Sequence, residues 1–343
     1  MTHPLSHRLR STVPLLAVSL LRISLGEPHS TSRTSSTAIV QTRTPPLHSY
    51  HLITSIPYRG EVGSLSVDTA HRRLYGVGQD IIDIDSNRVL PHPSSLTFDT
   101  YSVVFAPELN HGLTNSGTLF DLTTLQALAT VHAKGSSEVA STYDPTTQHA
   151  FVWSYDNAEY KSVYVVDMKT GAMIDSTLDL GGRPQAGVAD GRGLIFVGRE
   201  NMDSLLVIDA KTLIIVHRWG LGACKHPVPK AMDRVTHRLF VGCMNGLYVV
   251  DSNNGMVMTR VGEHYSGKIC FDPKRKNLLF PDRSGRNVLV VVHEDTPDTY
   301  STIQTVQLPH TSEFATLDER TGTVYDGDED TPGAGHWIHV VAP

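Results

Sequence analysis

The sequence carries seven short polar clusters whose side chains could bind an anion, move a proton or hold a metal. They are Arg59 with Glu61, Tyr101, Glu138, Arg183 with Gln185, Lys225 with His226 and Lys230, His264 with Tyr265 and Lys268, and His310 with Glu313. Lys and Arg recognise carboxylates and phosphates through charge-assisted hydrogen bonds, and imidazole adds a donor, an acceptor or a metal ligand near neutral pH. Two readings follow for the set. In one it forms a basic mouth for a small anion, with Arg183, Lys225 and Lys268 as anchors and His226, His264 and His310 as donors. In the other the same side chains pair with Glu61, Glu138 and Glu313 and close a polar surface. A narrower reading gives His226, His264, His310 and Glu313 to a divalent metal, the one cofactor these residue types suggest. No Gly-x-Ser-x-Gly elbow, His-Glu-x-x-His or Cys-x-x-Cys is present. Catalytic residues are therefore unassigned.

Clusters this far apart in sequence can meet only on a scaffold that returns regularly to one place. One motif supplies that return: an apolar strand ending in Asp, a turn, a second strand of the Arg-Leu-Tyr/Phe-Val type, a loop, and a third apolar strand often ending in Asp. Arg73-Leu74-Tyr75, Leu194-Ile195-Phe196-Val197 and Arg238-Leu239-Phe240-Val241 are second strands. Val163 to Asp167, Leu205 to Asp209 and Leu247 to Asp251 are third strands. Asp68 and Asp318 bracket six repeats of about 42 residues, the length of a four-stranded propeller blade. The expected fold is all-β, a seven-bladed β-propeller of four-stranded blades. Only three strands of the last blade precede the C-terminus, and residues 49–56 have the composition to supply the fourth, closing the ring. Counting back from each blade Asp puts the polar clusters on loops that lead into the first strands. Those loops converge on the channel at the top face. The repeated Asp residues are read as turn formers and not as catalytic carboxylates.

The Arg-Leu-Tyr/Phe-Val/Gly runs, the Val-Val-Asp strand ends and the Asp-Pro turns resemble the YVTN-repeat, YncE-like seven-bladed propellers over about residues 48–343. That resemblance implies an often exported bacterial propeller. It does not specify a function, because the family includes binding proteins, surface-layer proteins and relatives of lactonases. Some YncE-like members bind single-stranded DNA. Charge argues against that role here.

Lys and Arg number 29 against 35 Asp and Glu, a net charge of −6. Residues before 48 hold Arg8, Arg10, Arg22, Arg33 and Arg43 against only Glu27, so the rest carries 24 basic and 34 acidic residues, or −10. A nucleic-acid partner is disfavoured. Val13 to Leu21 is an apolar stretch after basic residues and before Ser24-Leu25-Gly26, which reads as a signal peptide, 1–26, and a secreted or periplasmic destination. It is too short to span a bilayer. The Ser/Thr-rich stretch 27–47 reads as a disordered linker. In an oxidising compartment Cys224 and Cys243 could pair, while Cys270 falls in a buried strand. Asp326-Gly327-Asp328-Glu329-Asp330 lacks the later Glu of an EF-hand loop and reads as a solvated loop. Function divides into two classes. One is a monomeric, non-enzymatic propeller that binds a small molecule or a protein at its top face. The alternative is a hydrolase or lactonase using His/Glu or a metal at the same mouth.

Overall fold

The computed structural model describes residues 49–58, 62–94, 96, 103–131, 138–154, 163–175, 178–182, 184–199, 202–262, 267–282, 286–310, 312–328 and 336–343. The segments expected to be signal and linker lie outside the described residues.

Seven four-stranded antiparallel sheets account for all the described strands. Blades one to six occupy residues 62–90, 104–130, 138–175, 184–220, 228–262 and 270–307. Blade seven takes Ser312–Asp318, Thr323–Asp328 and His336–Ala342, and its outer edge is His51–Tyr58 from the N-terminal side. The expected closure is therefore present, with the strand shifted two residues later than composition placed it. Tyr50 holds its approach: its hydroxyl donates to Asp272 at 3.1 Å, and its amide donates to the Gln304 side chain at 2.8 Å. At the same end of the strands, Arg72 of blade one donates to the fully buried Asp318 of blade seven.

The middle strands carry the core. Leu194–Arg199 and Ser204–Asp209 are buried almost throughout, whereas the outer strand Ile214–Gly220 is largely exposed. Both faces of a middle strand meet a neighbouring blade, so side chains of either parity are apolar. Phe151, Trp153, Val163, Ala189, Ile195 and Leu206 form one such seam between blades three and four. Close approach of the blades also restricts size: a Cβ on Gly198 would lie 1.7 Å from the Pro227 carbonyl oxygen of the next blade.

The repeated Asp residues build turns. Asp68 accepts from the amides of Ala70 and His71, Asp233 from Val235, and Asp318 from Arg320, at 2.8 to 3.1 Å. These bonds satisfy backbone donors where the first strands of blades one, five and seven stop, so those strands leave the channel at equivalent points, whereas that of blade two ends at Ala106 without an Asp.

Candidate functional site: the central channel

Small residues on the inner strands keep the propeller axis open. Ser64, Ser66, Ala140, Ser141, Ala186 and Gly187 face it from blades one, three and four, leaving a cavity of about 670 Å³. Its wall also includes Val103 to Phe105 of blade two, Gln185, Lys230 of blade five, Lys268 before blade six, and Thr316 of blade seven. A second cavity of about 370 Å³ continues past Arg234 and Glu319 toward the face where the inner strands end. Ser141, Gly187, Lys230, Lys268, Ile269 and Thr316 line both, which places the two lysines at the waist of the channel.

The lysines sit deeper than expected. Lys230 lies within the inner strand Val228–Asp233, and Lys268 is two residues ahead of Cys270–Asp272. The Lys268 ammonium reaches across to the Leu65 carbonyl oxygen of blade one at 3.4 Å, a long hydrogen bond. Burial among neutral neighbours pushes its pKa down from 10.5 to about 8, opposed only by the nearby Cys270 thiol.

Lys225 and His226 have a different setting. Lys225 donates to Asp203 at 2.6 Å, and the His226 amide donates to the other oxygen of the same carboxylate at 3.0 Å. Those two contacts, Lys225 first, hold the Asp203 carboxyl below its usual range. Both partners are well exposed, so the pair contributes little stability and acts as a positional tie. Cys224, next to Lys225, is disulfide-bonded to Cys243 with the Cα atoms 5.3 Å apart, and Cys270 is a buried free thiol. The bond braces the strand end of blade five against the loop that carries Lys225 and His226. His226 itself takes a φ of 52°, a left-handed value uncommon for a residue with a Cβ.

His310 stacks on Trp337 and His339 of blade seven, with ring centroids 5.9 and 5.8 Å away. His339 is fully buried, its Nδ1 2.9 Å from the Ser55 hydroxyl, and burial followed by His310 pushes its pKa down to about 4. Beside it, Asp326 and Asp328 lie on the strand Thr323–Asp328 and are 0% and 1% exposed. Their expected place on a solvated loop is thus corrected: the strand runs to Asp328 and carries both into the protein, and Glu329 and Asp330 lie outside the described residues. Burial raises Asp326 to about 7, with Ser312 donating to one of its oxygens.

Of the remaining sequence candidates, Arg59, Glu61, Tyr101, Arg183, His264 and Tyr265 lie outside the described residues. Glu138 opens the inner strand Glu138–Asp144 and Glu313 is the second residue of Ser312–Asp318, but their side chains are likewise not described. Among the described residues no group of three or more His, Cys, Asp or Glu is arranged to hold a metal ion. No helix among the described residues is long and apolar enough to cross a membrane.

Ser141, Thr316 and Asp203 were not among the sequence candidates. The two hydroxyls are ordinary strand residues whose place on the wall depends on strand parity within the blade. Asp203 comes from the neighbouring blade, and nothing in its local sequence pairs it with Lys225.

The architecture is that of a seven-bladed β-propeller with an open, lysine-bearing channel, and solved propellers superpose on it at this level. The chain is similar to the Cps50 (Swd1) β-propeller domain of Myceliophteria thermophila, with a TM-score of 0.69 and 11% identity over 86% of this chain and all of that one. It is similar to the RRP9 WD40 repeats, with a TM-score of 0.69 and 10% identity over 86% of this chain and 99% of that one. A chain of the Mitotic Checkpoint Complex gives 0.65 and 11% over 96% and 99%. Identities this low establish the fold alone. No family model matches the sequence, and no curated protein matches it.

Proposed function

We propose that this chain is an exported, monomeric, non-enzymatic binding propeller, related to the YVTN-type repeats, that takes a ligand or a protein partner at the top-face mouth of its channel. One observation carries the reading. Two lysines stand among hydroxyl and amide side chains in an open cavity of about 670 Å³, within the range of small-ligand sites. The solved propellers similar in fold support a binding role in general, since one is a component of the Mitotic Checkpoint Complex. The disulfide between Cys224 and Cys243 supports an oxidising destination, because such bonds persist there and are reduced in the cytosol. Peptide mapping without reductant is expected to recover Cys224 linked to Cys243, with Cys270 free.

Gln185→Trp tests the site by filling the upper channel wall. Native mass spectrometry of the protein isolated from its own host should show a bound species on the wild type and none on the variant. Equal retention by both would contradict the channel as the site. Turnover in a broad ester and lactone screen would contradict the non-enzymatic part and favour the hydrolase alternative.

A further inference from the structure

We infer that the waist of the channel is a site for a free, compact oxyanion, a carboxylate or phosphate group anchored on Lys268 with Lys230 contributing from the adjoining blade. The inference rests on the channel being the binding site and adds the chemical class of its occupant.

Charge on the wall is the first argument. Acids outnumber bases 35 to 29 in the chain, yet the described lining of the larger cavity includes two lysines and no carboxylate. The one acid on the described wall of the second cavity is Glu319, with Arg234 on the same wall.

The partners of Lys268 give the second argument. Among the described contacts its ammonium has one weak hydrogen bond, to the Leu65 carbonyl oxygen at 3.4 Å, and no carboxylate contributes to its electrostatics. Partial desolvation of an ammonium without a counter-ion is unfavourable, in keeping with its pKa being pushed down to about 8. An oxyanion removes it by supplying the missing charge. Ser66, Ser141, Thr316 and Gln185 line the same cavity and offer neutral donors for the remaining anion oxygens.

Size is the third. A cavity of about 670 Å³ accepts a small molecule and excludes a folded partner, which favours a free anion over an acidic side chain presented by a protein. Binding then has a proton signature. Above about pH 8 the empty site holds Lys268 largely neutral, so anion capture draws a proton onto the amine.

Isothermal titration of the full chain with inorganic phosphate, with succinate and with a glutamate-rich peptide tests this. Each titration is run above and below the pKa of Lys268, in two buffers that differ in ionisation enthalpy. Wild type should bind at least one free anion in the millimolar range or tighter, with proton uptake on the alkaline side. Lys268→Met should weaken that binding by about tenfold or more. Lys268→Arg should retain it within a few-fold and lose the proton uptake. Absence of binding by both free anions overturns the inference, as does unchanged affinity in Lys268→Met or binding of the peptide alone. A wild type that ignores both anions yet retains a host species that Gln185→Trp abolishes would lose this inference and keep the channel reading.

Discussion

Lys268 concentrates the physical tension in this molecule. Its amine is held below the ordinary lysine value of 10.5, near 8, so the folded state binds fewer protons than the unfolded chain between those values. The sign follows directly. The penalty for a charged Lys268 is fully present below about pH 8 and fades as the pH rises from there toward 10.5. Lys268→Met should therefore stabilise the protein near neutral pH by on the order of 1 to 2 kcal/mol, channel water screening part of the full penalty. That gain should shrink through the alkaline range. Denaturant melts at two pH values check it, and a destabilised variant at neutral pH would show that Lys268 is already paired. The residue type and approximate place of Lys268 were legible in the sequence, since counting back from Asp272 marks it. Its depth was not, because the inner strand of blade six is short, Cys270–Asp272, and the chain before it already lies on the channel wall.

At the scale of the element, the strand Thr323–Asp328 shows where pattern reading stops. Val324 and Tyr325 follow the repeat, and the blade Asp residues behave as turn formers, so strand count, order and closure could be read from the residues. Asp326 and Asp328 break the apolar pattern, and a run of acidic residues ordinarily signals solvent. Pairing overrides composition here: Asp326 lies opposite His339 and Asp328 opposite Ser312, and both carboxylates are carried into the protein with their strand. Burial raises the folded pKa of Asp326 from 3.8 to about 7, so its stabilising proton is present in acid and is lost as pH rises through about 7. Asp326→Asn should leave acid stability unchanged and add on the order of 1 to 2 kcal/mol above pH 7. Equal effects at both pH values, read from chemical denaturation, would count against a buried ionising carboxylate. His339 works in the opposite direction. With its pKa pushed down to about 4, stability is lost as pH falls below its ordinary 6.5.

For the whole molecule, seven sheets arranged about an axis solve the problem posed by a long chain without one large core, because each blade buries its faces against its neighbours. The same geometry brings residues from every blade to one channel, which is why the cationic wall could not be proved from spacing alone. Lys230 and Lys268 are 38 positions apart in sequence and share one cavity. Competitive trace acetylation of the lysines across pH tests the central claim most directly, because it reports both access and ionisation of a single amine in the intact chain. Lys268 is predicted to react through the open channel with a titration midpoint near 8. It is also predicted to be shielded when the low-molecular-weight fraction of the host extract is added, with Lys225 reactivity unchanged. A Lys268 that titrates at the ordinary lysine value, or that the fraction fails to shield, would contradict the account.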